Sequence, residues 1–266
     1  MRILALVPGG ISEQILFFPT LKTLKAKYPD ALIDVIVAPF AKSAYRVCAD
    51  VNEVLLFDAK DRYGLADYLN LLGMIRDREY DIAISLKDDW AISLLLWLNG
   101  IRVRVGYGAE NSLFLTNPIE ITPKQADSQQ QYALLRGLGI NEALPSLSID
   151  IPVDAKEWAK SQQERLNISE KGYILAYGDS VDTVGSEQKL IQDIQGKEPD
   201  VPIMLVQSLE NQQWLQKIRE KFPNLKVSQP LDIEKIAALI AGAKTLVSTD
   251  ITATYLGTAV GTPVQS

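Results

Sequence analysis

Residues 8–13, Pro-Gly-Gly-Ile-Ser-Glu, are the first segment whose side chains and spacing could do chemistry. They lie between an apolar run and a helical pattern, which predicts a loop joining a strand to a helix. Gly9 and Gly10 would let a ligand approach the backbone, and a helix start favours negative charge. The alternative is a structural turn with Ser12 as the helix N-cap and Glu13 in the first turn. Because the segment is neither G-x-G-x-x-G nor a Walker sequence, we favour that turn on local sequence alone.

A second such segment, residues 248–255, reads Ser-Thr-Asp-Ile-Thr-Ala-Thr-Tyr and also precedes a helical pattern. Hydroxyl groups and backbone amides at a helix start suit a phosphate group. N-capping by Thr249 or Asp250 is the alternative, and local sequence favours it. A third loop, residues 178–183, holds two aspartates and no cation before Lys189. That sign is wrong for a phosphate-bearing ligand, so a solvated turn is the better interpretation.

The chain has no histidine, which excludes Ser-His-Asp and Cys-His nucleophile systems and most zinc sites. Acid–base chemistry must then come from Asp, Glu, Lys, Tyr or the single thiol, Cys48. A single cysteine cannot form an intrachain disulfide, which indicates a reducing compartment. We expect neither a metal nor a cofactor, since Asp88-Asp89 suits N-capping of the next helix better than metal binding.

Charge and hydropathy exclude further classes of protein. The net charge is −6 and the pI about 4.9, which argues against a nucleic-acid partner. The longest apolar stretch, residues 91–98, is far shorter than the ~20 residues of a membrane-spanning helix. The N-terminal apolar run is also too short for a signal peptide. The sequence therefore predicts a cytoplasmic protein without a transmembrane segment, and it leaves contact with the inner membrane face open.

Alternating strand and helix patterns must position these loops. Apolar runs predict five strands in the first half, separated by helical patterns, and a similar series in the second half. Such alternation is typical of right-handed βαβ units and a parallel sheet. Residues 140–153 are the best candidate for a linker. We predict an α/β fold with two Rossmann-like parallel-sheet lobes facing a cleft, an N-terminal lobe at 1–145 and a C-terminal lobe at 146–266.

Three blocks of the chain, 1–37, 80–107 and 237–264, resemble the heptosyltransferase-like glycosyltransferase family nine. The last block reads AALIAGAKTLVSTDITATYLGTAVGTPV. The resemblance implies the GT-B fold, with a glycan or lipid acceptor on the N-terminal lobe and a nucleotide-diphospho-sugar on the C-terminal lobe. It also implies a metal-independent reaction. The family continues past the strand that begins at residues 263–266 with a C-terminal helix, and this sequence ends there.

The resemblance also assigns roles to the two loops. Glu13 takes the place of the family's catalytic aspartate, with Gly9, Gly10 and Ser12 in the acceptor-side loop. The family's Asp-Thr-Gly-Pro-x-His donor pattern falls on residues 250–255, where the aspartate alone is kept. The resemblance thus implies a donor site at Thr249, Asp250, Thr252 and Thr254, with Lys189 as the one counterpart of the family's phosphate-facing lysine.

Two functions stay open at this point. The first is a glycosyltransferase that uses Glu13 as its base, and the second is a catalytically silent member acting as a protein-interaction or assembly subunit. For the second function, Trp90, Trp97 and Phe17-Phe18 could form a partner surface, although we expect these residues to pack in the core. A Rossmann dehydrogenase is excluded because no glycine-rich fingerprint with a following acidic residue is present.

Overall fold

Two compact units, Met1–Ser146 and Leu147–Ser266, make up the chain in a computed structural model. The structure describes residues 1–57, 64–108, 112–121, 126–168, 172–178, 182–208, 211–223 and 225–266. Within these ranges no helix combines the length and apolar character needed to cross a membrane.

The first unit is built on a parallel sheet in the order β3-β2-β1-β4-β5-β6, the strand order of a Rossmann fold. The strands are β1 Arg2–Leu6, β2 Leu32–Val37, β3 Glu53–Leu56, β4 Ile82–Ser85, β5 Val103–Tyr107 and β6 Asn117–Ile119. The helices are α1 Ile11–Lys27, α2 Leu65–Arg76, α3 Trp90–Leu98 and α4 Asp127–Ala133, with 3-10 turns at Pro39–Val47, Ser112–Phe114 and Leu134–Leu138.

The second unit has a parallel sheet in the order β11-β10-β7-β8-β9. The strands are β7 Ile174–Ala176, β8 Ile203–Val206, β9 Lys226–Ser228, β10 Thr245–Val247 and β11 Val264–Gln265. The helices are α5 Val153–Arg165, α6 Val184–Lys197, α7 Gln212–Lys221, α8 Ile233–Gly242 and α9 Ile251–Val260. The predicted α/β fold with two Rossmann-like parallel-sheet lobes is confirmed.

Strand β6 is a sixth strand in the first unit, beyond the five that the sequence predicted. The strand pairs in parallel with β5 at the end of the first sheet and contains Pro118. Proline has no amide to donate, so it is tolerated at a sheet edge. A three-residue strand around a proline carries no alternating apolar pattern that sequence analysis could detect.

Helix α3 corrects the expectation that both of its tryptophans pack in the core. Trp90 and Trp97 are 58% and 50% exposed, whereas Phe17 and Phe18 are buried as predicted. The helix is apolar around its whole circumference, and the sheet covers only the side that carries its buried residues. A spacing of four and three residues places Trp90, Leu94 and Trp97 on one stripe along the helix. This stripe lies on the side of α3 that the sheet does not cover.

A buried carboxylate holds together the amino ends of the strands in the first unit. Asp34 of β2 is fully buried and accepts hydrogen bonds from Arg2 Nη2 at 2.7 Å, Tyr80 Oη at 2.8 Å and Asn52 Nδ2 at 2.8 Å. Burial raises the pKa of this carboxyl, but the hydrogen bonds from Asn52, Arg2 and Tyr80 outweigh burial and leave the pKa below its ordinary value.

Candidate functional site

The loop between β1 and α1 lies at the carboxyl edge of the first sheet, where ligands of open α/β sheets bind. Helix α1 starts at Ile11, so Gly10 is its N-cap, and the expectation that Ser12 would cap it is wrong. The Glu13 carboxylate supplies the missing cap, because Oε2 accepts from the Gly10 amide at 2.8 Å and from Ser12 Oγ at 3.0 Å. A glutamate at the third helical position can reach back in this way and allow an earlier start.

The absence of a side chain at Gly9 leaves room for the Glu13 side chain. Its φ of +101° lies in the left-handed region, and a Cβ added there would lie 2.8 Å from Glu13 Cγ. The Glu13 side chain therefore folds over the turn and is exposed at its surface. Behind the turn, buried Gln14 donates to the Val7 carbonyl at 3.1 Å and fixes the end of β1. The four residues predicted at the acceptor side thus form one cluster, with an exposed carboxylate able to accept a hydroxyl proton.

An apolar pocket of about 260 Å³ lies beside this turn. Its walls come from the carboxyl ends of the first strands, the 3-10 turn after β2 and the first turn of α3. The lining residues are Leu6, Val7, Pro8, Gly9, Ile36, Val37, Ala38, Phe40, Phe57, Lys87 and Ile92. Asp89 N-caps α3 by accepting from the Ala91 amide at 2.9 Å, as the sequence predicted.

The four predicted donor residues lie together at the start of α9, after β10. Asp250 is the N-cap, and its Oδ1 accepts from the Ala253 amide at 2.6 Å. The capping interpretation is confirmed for Asp250. Thr254 Oγ1 donates to the Asp250 carbonyl at 2.8 Å, and Thr252 is half-buried in the first turn. Several hydrogen-bonding groups of this turn are therefore already paired within the turn itself.

Glu187 of α6 is the residue of this region that the sequence analysis missed. It is 1% exposed, and its carboxylate accepts from Thr249 Oγ1 at 2.7 Å, from the Thr249 amide at 3.3 Å and from the indole nitrogen of Trp214. A signal was available, because Val184, Glu187 and Ile191 have the spacing of one helix face. The apolar neighbours on that face place the carboxylate against the sheet.

The ends of β7 and β8 complete this cluster. Asn211, fully buried, donates from Nδ2 to the carbonyls of Gly178 at 3.0 Å and Val206 at 2.9 Å. A Cβ at Gly178 would collide with Trp214 and the Glu187 carboxylate, so only glycine fits there. Of the predicted solvated turn at 178–183, residues 179–181 lie outside the described residues.

Lys189 does not join the donor residues. It is exposed on α6, two residues beyond Glu187, and two residues correspond to about 200° around a helix. The lysine therefore faces away from the side that carries the buried carboxylate. Across the described ranges, no group of three or more acidic or cysteine side chains could hold a metal ion.

Comparison with known proteins relates this arrangement to one family. A family model described as glycosyltransferase family 9 (heptosyltransferase) matches residues 69–266. The chain belongs to glycosyltransferase family 9. The resemblance found in the sequence is thereby confirmed.

The curated relatives that the chain matches differ in what their names state. Lipopolysaccharide heptosyltransferase 3 of Escherichia coli is 23% identical over 160 residues, which are 57% of this chain and 46% of that protein. The photosynthetic NDH subunit of subcomplex B 1, chloroplastic, of Arabidopsis thaliana is 29% identical over 108 residues, 40% of this chain and 23% of that protein. The chain thus spans less than half the length of these curated relatives.

Solved structures show that the whole chain has the family's fold. A glycosyltransferase family 9 protein from Veillonella parvula has a TM-score of 0.83 at 16% identity, covering 99% of this chain and 79% of that one. The E. coli heptosyltransferase WaaC with ADP has a TM-score of 0.73 at 18% identity, covering 99% of this chain and 86% of that one. At such identities the likeness establishes the fold alone.

Proposed function

We propose that this family 9 member is catalytically silent and acts as a protein-interaction or assembly subunit on a heptosyltransferase-like scaffold. In this proposal the second unit, Leu147–Ser266, has lost the nucleotide-diphospho-sugar site that the resemblance implies. The first unit keeps its turn and pocket at the sheet edge. The proposal includes a cytoplasmic location, which the single thiol supports.

The buried carboxylate of Glu187 is the observation that carries this proposal. It accepts hydrogen bonds from both the hydroxyl and the amide of Thr249, which is the first residue of the implied donor site. A phosphate at the Thr249 hydroxyl would lie within roughly 5 Å of that carboxylate, where two like unit charges repel by about 3 kcal/mol at an effective dielectric constant near 20. Lys189, the one cation that the resemblance offers, faces away.

The Arabidopsis relative supports an assembly role. Its name describes a subunit of a larger complex rather than a transferase. Since this chain spans only 23% of that protein, the support concerns the shared scaffold and names no partner for this chain.

Thermal shift with ADP-, GDP-, UDP- and TDP-sugars tests the loss of donor binding. A ligand at 100 times its dissociation constant adds about 2.7 kcal/mol of stability, which raises the melting temperature by several degrees. We expect no rise with any of the four. A reproducible rise that disappears in an Asp250→Ala variant would contradict the proposal.

A second candidate, sugar transfer to a glycan or lipid, is favoured by the exposed Glu13 carboxylate beside the apolar pocket. Glu13 would act as the general base, and the start of α9 would hold the leaving diphosphate without a metal. If transfer is observed, Glu13→Gln should abolish it and leave donor affinity intact. Transfer that survives this substitution would remove Glu13 from the role.

A further inference from the structure

Strand β9 forms an open edge of the second sheet. It comes last in the strand order, and among the described strands it pairs with β8 alone, where the Gln207 amide donates to the Ser228 carbonyl at 2.9 Å. Successive residues of a strand direct their backbone groups to opposite sides. The N–H and C=O of Val227 therefore point away from β8, and neither is hydrogen-bonded within the described residues.

A pocket of about 490 Å³ lies along this edge, and its volume is within the range of ligand sites. Its walls include Arg165 of α5, Arg219 of α7 and Val227 itself, together with Gln207 and Gln229, which directly follow β8 and β9. None of the lining residues belongs to the implied donor site at the start of α9. A chain segment lying in this pocket can pair with the outward backbone groups of β9.

The pocket carries an unbalanced positive charge. Arg165 and Arg219 are the charged members of its seven lining residues, and neither forms an ion pair within the part of the chain that the structure describes. Arg165 donates to Gln162 Oε1 from Nε at 3.1 Å and from Nη2 at 2.7 Å, which orients its guanidinium without neutralising it. An adjoining pocket shares Arg219 and adds one acid, Glu220, so the two pockets together remain positive. Guanidinium groups in this setting suit carboxylates.

The two arginines belong to helices on opposite faces of the sheet. Lys226 of β9 donates to the Leu166 carbonyl at the end of α5, whereas Val227 packs against the apolar cluster that includes α7. Successive side chains of a strand point to opposite faces. A strand added at this edge would therefore direct one of two adjacent side chains toward Arg165 and the other toward Arg219.

The nature of the edge restricts its occupant. A lysine on an edge strand commonly discourages pairing with another chain, but the Lys226 ammonium is bound by the carbonyls of Leu166 and Asn167. A second copy of this chain suits the edge poorly, because isologous pairing of β9 with β9 would bring arginines against arginines. An acidic segment of a different protein has the complementary charge.

We propose that β9 accepts an extended segment of a partner protein as an added strand, and that two adjacent carboxylates of this segment pair with Arg165 and Arg219. The backbone of Val227 supplies main-chain hydrogen bonds, and the arginines select acidic side chains. The inference rests on the proposed function of an interaction or assembly subunit, and it specifies the chemistry of the partner segment.

Fluorescence polarisation of the whole chain with a labelled, capped hexapeptide, Thr-Val-Glu-Glu-Val-Thr, tests the proposal. We expect saturable binding below about 1 mM that weakens as salt is added. A peptide with glutamine in place of both glutamates should bind about tenfold more weakly. N-methylation of both glutamates should abolish binding, since one of two successive amides must face β9.

Substitutions at the edge locate the binding. Arg165→Gln and Arg219→Gln should each weaken it about threefold, and the double variant about tenfold. Val227→Pro removes the outward amide and should abolish binding, because proline is tolerated where the N–H of an edge strand faces outward. Lys160→Gln is the matched control, since Lys160 is exposed on α5 about 200° around the helix from Gln162.

Four results would overturn the inference. They are no saturable binding of the acidic peptide, equal affinity for the glutamine peptide, unchanged affinity in both arginine variants, and undiminished binding of the N-methylated peptide, which keeps the test valid if Val227→Pro fails to fold. Self-association that Val227→Pro abolishes would also overturn it, because a second copy would then occupy the edge.

The nucleotide-sugar experiments separate this inference from the proposed function. Peptide binding without a response to any nucleotide sugar supports both. The absence of both responses overturns the inference alone, whereas a response to a nucleotide sugar contradicts the proposed function whatever the peptide does.

Discussion

At the scale of single residues, Glu187 has the largest effect on the implied donor site of the second unit. Its buried carboxylate accepts from Thr249 and Trp214, and both partners lose their acceptor when it is removed. We expect Glu187→Ala to lower the free energy of unfolding by about 3 kcal/mol, because buried donors are left unpaired and a cavity forms. Urea denaturation measures the change.

Two further variants separate these causes. Glu187→Gln keeps an acceptor of the same shape, so it should cost clearly less than Glu187→Ala. Glu157→Ala removes an exposed glutamate and should stay within about 0.5 kcal/mol of the original protein. Equal costs for Glu187→Ala and Glu157→Ala would show that the buried hydrogen bonds contribute nothing.

Asp34 is the second residue for which we predict a measurable contribution to stability, and this contribution depends on pH. Its folded pKa lies below the ordinary value, so its stabilising contribution is complete above the unfolded pKa of about 3.9 and is lost as pH falls through the folded pKa. Asp34→Asn should cost about 2–3 kcal/mol at pH 7. The gap between the two proteins should narrow below pH 4.

Urea denaturation at pH 7 and pH 3 measures this gap. Asp30→Asn, at an exposed aspartate, is the control and should differ little from the original protein at either pH. A gap for Asp34→Asn that is the same at both pH values would show that the pKa of Asp34 is the same in the folded and the unfolded protein.

At the scale of elements, the start of α9 depends on a single cap. The Asp250 side chain accepts from the Ala253 amide, so Asp250→Ala should cost about 1 kcal/mol of unfolding free energy. Asp250→Asn should cost much less, because asparagine caps helices about as well as aspartate. If both variants lose the same stability, the charge of Asp250 rather than its cap is responsible.

Two tryptophans on different helices differ in how far they are buried. Trp214 of α7 is 1% exposed, whereas Trp97 of α3 is half-exposed beside Phe114, with ring centroids 5.8 Å apart. Trp214→Ala should therefore cost about 3–5 kcal/mol, and Trp97→Ala well under half of that. Thermal unfolding of the two variants compares them, and similar losses would mean that the stripe on α3 is covered in solution.

At the scale of the whole molecule, the sequence predicted what depends on local pattern. Buried runs such as residues 2–6 gave the strands, and the turns at 8–13 and 248–255 fell at strand ends as expected. The residues that local pattern could not place depend on distant partners. Glu187 meets Thr249 across 62 positions, and the exposure of Trp90 follows from which side of α3 the sheet covers.

The central claim for the molecule is that its second unit does not hold a diphosphate. Calorimetric titration of the whole chain with ADP tests this most directly, with the E. coli heptosyltransferase whose structure contains ADP as the positive control. We predict no saturable binding up to about 1 mM ADP, which corresponds to a binding free energy weaker than about −4 kcal/mol. Saturable binding within that range, weakened by Asp250→Ala, would contradict the claim.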